Sequence, residues 1–261
     1  MHYLMETEAH VYALAIAAST LLAFYPFMMV MLSFCRDVLH WPAAMQAIYL
    51  ALGDFFAGEP GQFFVNNMRP SLVPRLHAAS MILLLFTANG IFEPLEVALN
   101  RAWGVEKNRT YLKNQLISLG LIFACGGLAL LSLMLTAANS QWITEVTGSH
   151  GWVETLVKVA VFKVAALGAS ILALFVIYWL LPNRKVEARR VAPVAIVVGL
   201  IMELLKYVNL LVWPLLQAKL SHEYAIFQHS VTILVWSFVV AMVVLAGAHW
   251  TARQERADPL A

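Results

Sequence analysis

The residues best equipped for chemistry in this chain are polar ones set inside long apolar runs. Asn89, Glu93, Glu96 and Asn100 stand at offsets of 0, 4, 7 and 11. That spacing puts all four on one face of a helix. Pro94 lies among them and frees a backbone carbonyl, and Arg101 and Trp103 close the run. Glu203, Lys206 and Asn209 form a second set at offsets of 0, 3 and 6, and Lys163 stands in a third run. Two readings are open for such groups. They are buried ion pairs that fix helix register, or they line a hydrophilic cavity for a polar head group or for coupled protons.

The runs around these residues set the class of the protein. Hydrophobic residues make up 61% of the 261 and charged residues 12%, with a mean hydropathy of +0.75. A soluble domain is usually about half apolar and about a quarter charged. A spanning helix takes roughly 20 mostly apolar residues, and in lipid every backbone N–H and C=O must be satisfied within the segment. Spans are expected near 11–35, 76–99, 115–138, 153–181, 191–216 and 223–250, in a single domain over 1–261. The fold class expected is all-α, a bundle of six transmembrane helices. Runs such as Ile117 to Leu135 lack the alternation of a membrane β-barrel. The flank of the first run carries Glu6 and Glu8 and no Lys or Arg, which argues against a cleaved signal peptide. Pro26 inside that run reads as a kink absorbed by neighbouring helices or as a gating hinge.

These spans give the polar residues a depth. Glu203 falls roughly 18 Å from one face and Lys163 roughly 15 Å from the other, at about 1.5 Å per residue. Those depths allow the two to meet near midplane, with Lys206 toward the external half. Orientation follows from Lys and Arg. Ten of them (Arg101, Lys107, Arg109, Lys113, Arg184, Lys185, Arg189, Arg190, Arg253 and Arg256) share the face of the termini, and four (Arg36, Arg69, Arg75 and Lys219) lie opposite. Both termini are therefore expected in the cytoplasm. The basic loops also suit anionic head groups.

The external loop, 36–75, is expected to form a short helical hairpin on the outer surface. Met45, Ile48, Leu52, Phe55 and Phe56 make a helical stripe, Gly58, Pro60 and Gly61 break the chain, and Phe63, Phe64, Val65 and Met68 follow. It reads as a packed cap or as a lid. Small residues four apart, Ala9, Ala13 and Ala17, then Ala165, Ala169 and Ala173, suit close helix approach. Cys35 and Cys125 fall at different depths, so neither a disulfide nor a metal framework is expected. His222, Glu223 and His229 lack a third firm metal ligand and read as wet interfacial groups. There is no Walker loop, H-E-x-x-H helix or glycine-rich dinucleotide turn, and no nucleophile–base pair. The expectation is a non-enzyme without cofactor, catalytic residue or nucleic-acid partner.

Several stretches carry a resemblance. Phe175-Val-Ile-Tyr-Trp-Leu-Leu-Pro-Asn-Arg184, followed by Val186, Pro193, Glu203, Lys206, Tyr207, Tyr224, Trp236 and Gly247-Ala248, resembles the YihY/BrkB family of bacterial inner-membrane proteins. Leu95-Glu96 with Leu99-Asn100-Arg101-Ala-Trp103-Gly-Val105 is similar to its second signature, and Phe24-Tyr25-Pro26 to its first. The match runs in order over about 10 to 250. The resemblance implies six spans and an inner-membrane location. Members once bore the label ribonuclease BN, which this sequence argues against, since it has neither a hydrolytic His/Asp metal cluster nor a soluble domain for RNA. Others are described as serum-resistance virulence factors or transporters, with proposals around envelope lipids. Carried over by position, the resemblance marks Glu96, Asn100, Arg101, Pro182, Glu203, Lys206 and Tyr207. Where the family has Gly-Ala-Glu, this chain has Gly247-Ala248-His249.

The expected function is movement of a lipid or other amphiphilic envelope component. Its path would use Asn89, Glu93, Glu96, Asn100, Arg101, Lys163, Glu203, Lys206 and Tyr207, with membrane lipids as partners. The alternative is a non-catalytic scaffold that docks a protein partner in envelope assembly. In that case the external loop or the basic loops carry function and the buried charges are structural.

Overall fold

A computed structural model describes residues 9–42, 44–46, 48–49, 78–105, 109–146, 152–224 and 227–257. The long elements among them are all helices: α1 (Ala9–Asp37), α2 (Ala78–Ala102), α3 (Tyr111–Val146), α4 (Trp152–Leu180), α5 (Ala188–Tyr224) and α6 (Gln228–Ala257). No strand occurs among the described residues. Among the described residues, five stretches are long and apolar enough to cross a membrane: Ala9–Asp37, Lys113–Ser132, Lys163–Leu180, Ala188–Leu216 and Gln228–Arg253. This is a membrane protein with several crossing helices.

The helices outrun the predicted spans at most ends. α3 continues to Val146 rather than 138, and α5 to Tyr224 rather than 216, with Pro193 and Pro214 inside it. α6 accordingly starts at Gln228 rather than 223. Apolar runs mark the part of a helix that lies in lipid, while the backbone goes on hydrogen-bonding beyond it. α1 carries Pro26 without ending.

Packing follows chain order. α1 lies against α2, α2 against α3, α3 against α4, α4 against α5 and α5 against α6, and α6 returns to α1 to close the ring. α2 also touches α6 across it. Small residues permit the closest approaches, as their spacing suggested. Ala9, Ala13 and Ala17 are all buried, and a Cβ at Gly90 of α2 would come 3.3 Å from the Ser19 hydroxyl of α1. Ala169 is buried on α4, and the Ser132 hydroxyl of α3 donates to the Ala166 carbonyl at 3.0 Å.

Two apolar clusters fill the bundle. The larger draws Leu99 from α2, Leu121 from α3, Tyr178 from α4, Val194 and Val198 from α5 and Val244 from α6. The smaller joins Leu32 and Cys35 of α1 to Ile233 of α6 and to Ala44, Met45 and Ile48. Residues 44–46 and 48–49 are helical. The first part of the predicted stripe thus packs on α1 and α6, Met45 and Ile48 being buried. Leu52, Phe55, Phe56 and the rest of the expected hairpin lie outside the described residues. Cys35 and Cys125 both carry free thiols.

One tight point is where α4, α5 and α6 meet. The buried Tyr178 hydroxyl donates to the Val244 carbonyl at 2.7 Å. A Cβ on Gly247, one turn along α6, would stand 2.5 Å from a Val198 methyl and 2.6 Å from that hydroxyl. Overpacking of this kind costs about 1–3 kcal/mol. Gly247→Ala is therefore expected to lower the thermal midpoint of the detergent-solubilised protein. Gly168→Ala, where a Cβ meets nothing within 4 Å, serves as the control whose midpoint does not fall.

Candidate functional site

The first polar centre is built on two helix ends. α2 stops in a Schellman cap: Val105 N–H donates to the Asn100 carbonyl at 2.8 Å and Gly104 N–H to the Arg101 carbonyl at 3.2 Å. Gly104 takes the left-handed conformation, φ 66°, that such a cap requires and that favours glycine. The stretch Asn100-Arg101-Ala-Trp103-Gly104-Val105 is thus a helix stop. It holds Asn100 at the very end of α2, 2% exposed, with Glu96 one turn back and 4% exposed.

α4 stops against Pro182, which has no N–H to continue a helix. Its last carbonyls need outside donors. Arg109 supplies them. The guanidinium donates to the carbonyls of Leu180 at 3.1 Å, Leu181 at 3.2 Å and Pro182 at 2.8 Å, and to the Asn183 side-chain oxygen at 3.2 Å. A fixed cation at a helix C-terminus also opposes the helix dipole. The Asn183 backbone N–H donates to the Asn100 side-chain oxygen at 2.7 Å. The Asn100 amide faces Glu96 at 3.5 Å, and the Asn114 amide of α3 hydrogen-bonds the same carboxylate. Arg109 lies near enough to act on Glu96 electrostatically.

The predicted stripe on α2 is therefore divided. Glu96 and Asn100 are buried, whereas Glu93 is exposed. Glu93 lies about 10 Å along the axis from Asn100 at 1.5 Å per residue, beyond the reach of the linker that covers Asn100. A shared face does not bring shared burial when the covering element is short. Arg101 donates to the Tyr12 hydroxyl of α1 at 3.1 Å. The side chain of Asn89 lies outside the described residues.

The second polar centre lies between α4 and α5. Lys206 pairs with Glu203 on its own helix at 2.7 Å, one turn apart. Lys163 donates to the Tyr207 hydroxyl at 3.4 Å, with its nitrogen 5.9 Å from the ring centre. The meeting of Lys163 with Glu203 that their depths allow is thus corrected. Lys163 does reach α5, but at Tyr207, one turn beyond Glu203, whose carboxylate is taken by the nearer Lys206. This centre faces outward, Lys206 and Tyr207 both being about half exposed. Asn209 is buried, away from that surface.

The nine expected path residues hence fall into separate places. Lys163 lies seventeen residues before Leu180, about 25 Å of helix, so the two centres sit toward different depths of the bundle. Sequence reasoning missed Arg109, Asn114, Asn183 and Tyr178. Arg109 was counted only as a topology charge, although its neighbourhood of helix-ending residues offered a signal, as did Asn183 just after Pro182. His249, in place of the family acid, is half-buried on α6, and His222 and Glu223 are exposed at the end of α5.

Arg109→Met removes four hydrogen bonds and leaves the α4 carbonyls uncapped. A loss of about 1–3 kcal/mol is expected from removing a charged donor of this kind, measured as a lower midpoint of unfolding in detergent. Arg109→Lys restores only part, because an ammonium lacks the planar fork. Full recovery with lysine contradicts the fork geometry as the source of stability.

Comparison with known proteins gives the family. The family described as "Virulence factor BrkB" matches residues 2–260. A "UPF0761 membrane protein" of Chromohalobacter salexigens is 25% identical over 94% of this chain and 60% of its own length. Proteins of the same name from Chromobacterium violaceum and Chlorobium chlorochromatii are 27% and 25% identical over 76% and 72% of this chain, and 46% of theirs. The chain thus spans about half to 60% of the length of these relatives. No solved structure matches it. With the match running almost from end to end, the chain belongs to the BrkB family of membrane proteins.

Proposed function

We propose that this protein moves the polar head group of an amphiphile, a lipid or other envelope component, between the leaflets of the bacterial cytoplasmic membrane. Six spans are proposed, with α2 crossing between α1 and α3 and both termini in the cytoplasm. The observation that carries the reading is the outward-facing set Lys163, Glu203, Lys206 and Tyr207. Glu203 lies near the middle of the apolar stretch Ala188–Leu216. Charges at that depth cost several kcal/mol unless paired or hydrated. A side chain buried in the bundle core would answer the cost with protein partners. Glu203 and Lys206 answer it in each other, while Lys163, on the outer face between two helices, answers it with whatever polar group passes along the surface.

The centre at Glu96, Asn100, Arg109 and Asn183 has a different part in this reading. It ties the α2–α3 turn to the α4–α5 linker and acts as a fixed end against which the α4–α5 surface is held. The scaffold alternative needs a docking face on the loops, and most of the external loop lies outside the described residues.

Two measurements test the proposal. Purified protein in liposomes is expected to speed leaflet exchange of a head-group-labelled phospholipid, and Glu203→Gln, matched for folded yield, to remove most of that rate. Liposomes in which the folded wild-type protein produces no exchange overturn the transport reading and favour the scaffold. For topology, single cysteines introduced at Arg184 and at His40, in a background without Cys35 and Cys125, are expected to react with an impermeant maleimide only from the inside and only from the outside, respectively. The opposite labelling reverses the orientation.

A further inference from the structure

We infer that the Lys163–Tyr207 pair is a binding site for the phosphate of an anionic head group, a specificity that rests on the transport reading above but makes its own demand. The charges at this centre do not cancel. Glu203 answers Lys206 at 2.7 Å, which leaves the ammonium of Lys163 as a net positive charge facing outward. Lys163 spends one of its three N–H donors on Tyr207. Among the described residues no acid pairs with it. The Tyr207 hydroxyl, having accepted that bond, still has its own O–H to give. Two or three donors and one unit of positive charge converge on a single outward position, which is the complement of a phosphate monoester or diester.

The surroundings indicate that the anion is carried by an amphiphile. Leu204, Val208, Leu211 and Leu215 repeat at offsets of 0, 4, 7 and 11 on α5 and are 61%, 38%, 77% and 77% exposed. That is a continuous apolar stripe one step round the helix from Glu203 and Tyr207. Val164, next to Lys163 on α4, is 68% exposed. With its phosphate at Lys163 and Tyr207, an acyl chain runs from Leu204 back along Leu200 and Ile196, which are 50% and 46% exposed, and so toward the middle of the membrane.

The site is tested by lipid binding to the full-length protein in detergent, a measurement that requires no transport. Wild-type protein is expected to retain labelled phosphatidylglycerol over labelled phosphatidylcholine by about fivefold, the scale of one lysine–anion contact at a membrane surface. Lys163→Met keeps the apolar stem and is expected to abolish the preference. Tyr207→Phe weakens it, and Lys163→Arg preserves it. Unfolding midpoints matched to the wild type show that each variant is intact. A wild-type protein without preference, or a preference that survives Lys163→Met, overturns the proposal. Inorganic phosphate is the second arm. Weak competition at millimolar concentration assigns the site to the lipid, whereas complete displacement together with equal retention of the two lipids assigns the same donors to free phosphate and rules out the head group. Selective binding in a protein that exchanges no lipid refutes the transport reading and leaves the site standing. Exchange without selectivity does the reverse.

Discussion

A helix that ends near a bilayer leaves carbonyls that water reaches poorly, and everything at one end of this bundle depends on how that debt is met. Arg109 donates to three successive carbonyls at the end of α4 and to Asn183. Asn183 in turn donates its backbone N–H to Asn100 at the end of α2. Two helix ends that share no sequence neighbourhood are joined by one arginine and two asparagines. The larger apolar cluster packs directly beside this tie, with Leu99, Trp103 and Leu181 among its buried members. Burial of Glu96 becomes tolerable for the same reason, since amides and a guanidinium surround it.

The other polar centre obeys a different rule. At Lys163 and Tyr207 the partners are few and the surface is open, so the cost of charge in hydrocarbon is not met inside the protein. The two centres differ in how far the protein itself satisfies their polar groups. The first is saturated with protein donors and acceptors and closed. The second is left short by one negative charge and faces outward, beside an apolar stripe of the length that a lipid chain can use.

How much of this was legible in the residues depends on how local each cause is. Long apolar runs disclose helices because lipid forces a segment to satisfy its own backbone, and the runs at Ala9–Asp37 and Gln228–Arg253 could hardly be read otherwise. The stripe of Met45 and Ile48 was equally readable, since periodicity alone points a face inward. Partner choice was not. Glu203 and Lys163 have suitable depths, yet a one-turn neighbour, Lys206, outcompetes a residue on another helix. Glu93 shares a face with Asn100 but not its cover. Arg109 looked like one more positive-inside charge, because the carbonyls that give it meaning belong to a linker more than seventy residues away.

The Tyr178 hydroxyl, the Val198 methyl and the backbone at Gly247 occupy one point from three helices. Mechanically this is a pinned joint. Screwing α6 round by one residue, about 100° with about 1.5 Å of rise, carries the next side chain, Ala248 or Ala246, toward the place that only a hydrogen fills. Near that joint α4, α5 and α6 are fastened at one height. Lys163 and Tyr207 lie along α4 and α5 about 22 Å and 13 Å of helix from Tyr178 and Val198 at 1.5 Å per residue, as the jaws of a clothes-peg lie away from its spring.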